Sequence, residues 1–253
     1  MPGASDMTGK AAIVTGAASG LGRASAMALG RAGADLWLAD IDGAGLAETA
    51  QALRPLGVRA EICVADLAQR SACFQAVAGA VAAFGRLDAL CNVAGVVFLG
   101  HTPEMPEAQF EKIMAVNLKA PFHLIQAAIP HLLETDGAVV NVASSAGIVG
   151  QAYSAAYCAS KAGLAHMTRS LAMEYMGKPI RFNAVAPGGM ATNLVAGIQM
   201  PEGADLSLIA RYSGIRGMVE VEDVADMVAF LASPAARSFH GDCIAIDKGI
   251  TAG

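Results

Sequence analysis

Short apolar runs alternate with longer stretches of helical periodicity along most of the chain. Ala11-Ala12-Ile13-Val14 reads as a first strand, with a helix from about Leu21 to Ala32 behind it. Further strands are predicted at 35–39, 60–64, 87–91, 138–142, 180–185 and 243–246, and further helices near 46–53, 72–84, 110–133 and 155–176. The long pattern from Phe110 to Leu133 contains Pro121 and Pro130, so a bend or division is expected at a proline. The strand candidates are continuously apolar, which marks strands buried on both faces. Strand–helix alternation of this kind predicts an α/β fold with a doubly wound, seven-stranded parallel sheet. One segment, about 188–217, breaks the rhythm and is rich in Gly and Met. It falls where an open α/β sheet binds ligands, and a small lid is expected there.

Composition narrows the class. Hydrophobic residues make up 55% of the 253 and charged residues 15%, which argues for extensive burial and against disorder. Nothing reads as a linker, so 1–253 is expected to form a single domain. The net charge is −5 with no basic run, which argues against nucleic acid as a partner. The five cysteines form no CxxC pair and do not cluster with the five histidines. They read as buried thiols of a reducing compartment, and no metal site is expected. No signal peptide is evident, and apolar runs break well before the ~18 residues of a membrane span. A cytoplasmic location with no membrane contact is the expectation.

The strongest local signal is Thr15-Gly16-Ala17-Ala18-Ser19-Gly20-Leu21-Gly22, directly after the first strand. Residues without a Cβ allow a tight turn and let the backbone approach a pyrophosphate. The helix behind it offers free N–H groups and the positive end of its dipole. A bare structural turn is the competing reading. Asp40 ends the second strand, 18 residues after Gly22, where a carboxylate can bind both ribose hydroxyls and repel a 2′-phosphate. Neither Ser19 nor Ile41 is basic, so NAD is predicted over NADP. A helix cap near Asp42 is the alternative for Asp40. Asp66 is a candidate for the adenine edge and, compatibly, an N-cap for a helix starting near Ala68. Asn92, Val93, Ala94 and Gly95 end the fourth strand, and small residues there let a cofactor lie across the sheet edge.

Tyr157 and Lys161 are four residues apart in a predicted helix and share one face. A tyrosine with a pKa of about 10 is a poor base near neutrality, and an adjacent ammonium is expected to lower it. Ser144 lies 13 residues earlier, just past the fifth strand, where its hydroxyl can hold a substrate oxygen beside the phenol. Ser145 is the decoy for that role.

In order, Thr15 to Gly22, Asp66, Asn92 to Gly95, Asn117, Ser144, Tyr157-Cys158-Ala159-Ser160-Lys161, and Pro187-Gly188 with Thr192 resemble the short-chain dehydrogenase/reductase family over essentially the whole chain. The resemblance implies a Rossmann fold and an NAD-dependent oxidoreductase acting on an alcohol or ketone. It implies Tyr157 as acid/base, Ser144 as the group orienting the reacting oxygen, and Lys161 as ribose ligand and tuner of Tyr157. Asn117 would hold a relay water. Pro187, Gly188, Met190 and Thr192 would line the nicotinamide, with Ile41 and Leu67 among the other cofactor contacts. A dimer or tetramer built on the two long helices is implied as well. The chain departs from the family at Val93, Ala143 and Lys248, where Asn, Ser and Gly are common.

Residues expected to face substrate are Val96, Val97, Ala146, Gln151, Gly189 and Met190, with Leu194, Val195, Ile198 and Tyr212 on the lid. This lining is mostly apolar and points to an apolar or cyclic secondary alcohol or its ketone. Lid residues that pack on the protein itself are the alternative. A catalytically silent NAD-binding regulator and a scaffold of the same fold stay open, although neither needs Ser144, Tyr157 and Lys161 together.

Overall fold

The computed structural model describes residues 5–192, 197, 199–210 and 212–252. Seven strands join one sheet: β1 (Ala11–Thr15), β2 (Asp35–Asp40), β3 (Ala60–Val64), β4 (Ala89–Asn92), β5 (Gly137–Val142), β6 (Ile180–Pro187) and β7 (Cys243–Ile246). Their order is β3-β2-β1-β4-β5-β6-β7, and every neighbouring pair is parallel. The described helices are α1 (Gly20–Arg31), α2 (Gly43–Leu53), α3 (Arg70–Phe84), α4 (Glu107–Met114), α5 (Ala120–Leu133), α6 (Ala155–Glu174), α7 (Leu206–Ala210) and α8 (Val221–Ala232).

Successive strand residues face opposite sides of the sheet. Ala12 and Val14 of β1, Cys91 of β4 and Val185 of β6 pack with Leu29 of α1, Leu46 of α2 and Val224 and Val228 of α8. Ile13, Leu90, Val139 and Phe182 lie on the other side, with Val77 of α3 and Leu124 and Leu132 of α5. Both faces are dry, so the central strands carry no polar alternation. From β1 the sheet extends one way to β2 and β3 and the other way to β4. This reversal opens a crevice at the carboxyl ends of β1 and β4.

The predicted helix over 110–133 is interrupted, and not at a proline. Pro121 is the second residue of α5, which continues directly from the π turn, and Pro130 lies inside α5. The break is a π turn, Ala115–Lys119, with Asn117 fully buried in it. One extra residue in a turn re-aims the side chains it carries, which is why π turns recur at functional sites. Strand β6 runs two residues further than its apolar run suggests and brings Pro187 to the crevice. Leu194, Val195 and Ile198 lie outside the described residues.

Candidate active site

A cleft of about 640 Å3 runs along the carboxyl edge of the sheet. At one end stands the glycine turn. Gly16 and Gly20 have φ of +70° and +50°. A Cβ on Gly16 would lie 2.9 Å from Ala94 Cα, and one on Gly22 would lie 1.9 Å from the Gly16 carbonyl oxygen. The turn is closed on itself and against the loop after β4, so these positions exclude any side chain. Ser19, the N-cap of α1, makes no side-chain cap bond, and the first turn holds no acidic residue. The first N–H groups of α1 are thus left without a side-chain acceptor at a helix of 12 residues. That arrangement fits the pyrophosphate of a dinucleotide.

Asp40 lies on the cleft wall, with Ile41 beside it 66% exposed. Its carboxylate accepts from Ala18 N and Asp42 N, each at 3.1 Å. Capping of α2 falls instead to Asp42, which accepts from Ala44 N and Gly45 N. Asp40 therefore holds the glycine turn in place and remains available to the cleft. The Arg23 guanidinium reaches the same corner, but Ala18 O, Gly45 O, Thr49 and Glu48 engage its donors. Asp66 and Leu67 line the cleft. Asp66 accepts from Ala68 N in the turn before α3, while the helix begins at Arg70 with Gln69 as N-cap.

Asn92 is not on the cleft wall, contrary to the expectation for a cofactor residue. Its amide is buried and donates to Asn141 Oδ1 at 2.8 Å, and Asn141 donates in turn to Thr168. Strand alternation sends side chain 92 into the interior and leaves the following main chain to form the wall. Thr15 anchors that main chain by accepting from Val93 N and Ala94 N. Ala94 and Gly95 do line the cleft. A Cβ on Gly95 would sit 3.4 Å from both Asn117 Oδ1 and Lys161 Nζ, so this small residue lets loop and helix close together.

At the other end of the cleft stand Ser144, Tyr157 and Lys161. Lys161 is 3% exposed, and its ammonium donates to Val142 O at 2.8 Å and lies 5.8 Å from the centre of the Tyr157 ring. Burial draws its pKa down to about 8. The Tyr157 phenol is pushed up by burial, and a hydrogen bond with Ser144 draws it partly back. The expected depression by Lys161 is absent in this structure. The ammonium is aimed at a main-chain carbonyl, and loss of water around the phenol outweighs it. Asn117 sits behind the wall. Its amide accepts from Val96 N at 2.8 Å and donates to Val96 O at 2.9 Å and to Ser160 Oγ at 3.2 Å. These bonds fix the loop after β4 against α6 and engage the Asn117 side chain.

Pro187, Gly188, Gly189, Met190 and Thr192 complete the wall. A Cβ on Gly20 would meet Thr192 at 3.5 Å, so this segment closes on the glycine turn. Met190 bridges to Val219, and Val219 N donates to Gly189 O at 2.8 Å. Val96, Val97, Gln151 and Tyr212 line the cleft, whereas Ala146 is buried off it. Leu99, Lys112, Val116 and Ser154 also line it. They belong to no motif, and a sequence signal for them is lacking because only tertiary contact brings them there.

A parallel sheet with a glycine-cradled crevice and a Ser, Tyr and Lys at one end defines a dinucleotide-dependent oxidoreductase. The family model described as enoyl-(acyl carrier protein) reductase matches residues 16–251. The cis-4-hydroxycyclohexanecarboxylate dehydrogenase of Sinomonas cyclohexanicum is 38% identical over 245 residues, spanning 96% of this chain and 97% of that protein. The 3beta-hydroxysteroid dehydrogenase 2 of Eggerthella lenta is 30% identical, spanning 97% and 96%. A solved structure of a short chain dehydrogenase from Mycobacterium paratuberculosis bound to NAD superposes with a TM-score of 0.89 at 27% identity, covering 98% of this chain and all of that one. The chain belongs to the short-chain dehydrogenase/reductase family.

Proposed function

We propose that this chain transfers a hydride between NAD and a secondary alcohol or its ketone, with an apolar or cyclic substrate. The observation that carries the reading is the single cleft that joins the glycine turn and Asp40 to Ser144, Tyr157 and Lys161. Two relatives named for ring alcohols and a neighbour bound to NAD support it.

NAD, when bound, supplies the acceptor for the hydride of the carbinol carbon. The glycine turn and the start of α1 hold the pyrophosphate, and Asp40 takes the adenosine ribose, with Ile41, Asp66 and Leu67 around the adenine. Pro187, Gly188, Met190 and Thr192 line the nicotinamide side. Tyr157 accepts the proton of the substrate hydroxyl, and Ser144 holds the same oxygen. Lys161 places a positive charge next to Gly95 and Tyr157, where it binds the second ribose. Burial raises the phenol, so the base form needs every positive charge in the cleft, and oxidation is expected to speed up with rising pH. Asn117 acts through Val96, whose main chain it holds on the substrate wall.

The seven strands form one sheet, which supports reading 1–253 as a single catalytic domain. Exposed Phe110 and Phe122, on α4 and α5, and Met173 on α6 suit the helix faces expected to join subunits in a dimer or tetramer. All five cysteines are free, which fits the reducing cytoplasm. A silent binder leaves the Ser144, Tyr157 and Lys161 constellation without a purpose. The test is absorbance of the reduced cofactor with purified protein, NAD or NADP, and a panel of ring alcohols and sugar polyols. Reduction of NAD by ring alcohols is expected. A protein that binds NAD but turns over no alcohol or ketone ends the reading.

A further inference from the structure

The wall beside the reacting groups carries a second polar pair. Ser145 follows Ser144 into the short turn Ser145–Gly147 and lines the cleft. It is 3% exposed. Its Oγ takes one contact, donated by Gln151 Nε2 at 3.5 Å, the outer limit for a hydrogen bond. Among the described residues its hydroxyl proton meets no acceptor, and the carbonyl oxygen of the Gln151 amide meets no donor. Gln151 lines the cleft too, and Ser154 fixes its main chain by donating to the Gln151 carbonyl at 2.9 Å. Most buried hydroxyls have at least one partner, and the single long contact of Ser145 leaves its own O–H to donate. Ser144, one residue earlier, accepts from Ala146 N and acts on the Tyr157 phenol, so it is occupied by the reaction centre. The Ser145 O–H, the second N–H of the Gln151 amide and the carbonyl oxygen of that amide therefore keep bonding capacity at the cleft that the reaction does not use. Val96, Val97, Leu99 and Met190 add apolar surface to the same cleft.

We propose that Ser145 and Gln151 bind a second oxygen on the substrate, so that the substrate is a ring alcohol bearing a further oxygen substituent. The proposal rests on the reading that this cleft oxidises ring alcohols. A neutral hydroxyl and a carboxylate share the chemistry, since either can accept from the Ser145 O–H and the Gln151 N–H.

The experiment compares kcat/KM for cyclohexanol with that for cyclohexane-1,2-diol, cyclohexane-1,4-diol and 4-hydroxycyclohexanecarboxylate, with NAD and purified protein. Wild type should prefer at least one oxygenated ring by about tenfold, the size of one net hydrogen bond. Ser145→Ala and Gln151→Leu should each pull that ratio toward one. The ratio cancels any general loss of activity in the variants. Preference for the carboxylate alone, or for the diols as well, tells which oxygen is read, and both support the proposal. Equal treatment of cyclohexanol and the oxygenated rings by wild type overturns it, as does a ratio that survives both substitutions. If no alcohol of either kind is oxidised, the underlying reading and the proposal fall together.

Discussion

At the amino-terminal edge of the sheet, Asp88 is 3% exposed, and its carboxylate takes hydrogen bonds from Ala11 N, both ends of the Arg86 guanidinium, and Lys10. At the carboxyl edge, α1 starts without a side-chain cap bond, and the Ser145 hydroxyl proton has no described acceptor. The same seven strands thus carry a saturated edge and an unsaturated one. A buried charge with every lone pair engaged can only support the fold. Donors left open at the other edge cost stability and are what a ligand can use. The comparison teaches that burial alone does not mark a site; burial with bonding capacity left over does.

The comparison breaks most clearly at Tyr157. Tyr157→Phe should lower kcat/KM by roughly a thousandfold, within the range for loss of a general acid/base, while the melting temperature stays near that of wild type. Turnover that survives would remove the phenol from the chemistry. Asp88→Ala should do the reverse. It leaves Ala11 N and two cations without their partner, and should cost about 2 kcal/mol, or roughly 5 °C in thermal melting. The discount reflects Arg86, which is 43% exposed. NAD affinity should not move; if it does, the two edges are not independent.

The smallest effect concerns Lys161. Burial holds it at about 8, below the ordinary 10.5. Between those values the unfolded chain carries a proton that the folded chain has released, so Lys161 adds stability as pH rises through that window. Wild type should gain at least about 1 kcal/mol on Lys161→Met between pH 8 and 10.5, a shift of roughly 3 °C. Parallel melting curves for the two proteins across that range would show Lys161 to be charged in the folded state throughout.

Much of this was legible in the chain. Ala11 to Val14 announced β1 by apolar continuity, and the turn from Gly16 to Gly22 stood where the crevice opens. Tyr157 and Lys161 share a helix face because four residues make about one turn, and Ser144 ends a readable strand. Asn92 misled because strand alternation, not motif membership, decides whether a side chain meets the cleft or the interior. The bonds of Asn117 to Val96 were not legible, because the π turn that aims its side chain has no mark in the apolar pattern from Phe110 to Leu133. The direction of the Tyr157 shift was misjudged because spacing reveals a neighbouring charge but not the water lost around the phenol.

By itself, the sequence determined the order and type of the elements, the glycine cradle, the carboxylate at Asp40 and the grouping of Ser144, Tyr157 and Lys161. Those features depend on local periodicity and on residue chemistry at short spacings. Only the tertiary structure decided that Asn92 turns inward, that Thr15 anchors the loop after β4, that Arg23 is engaged elsewhere, and that Ser145 meets Gln151 at the cleft. Each of these depends on which distant groups meet a side chain and exclude water from it, and contact between distant segments leaves no period in the chain.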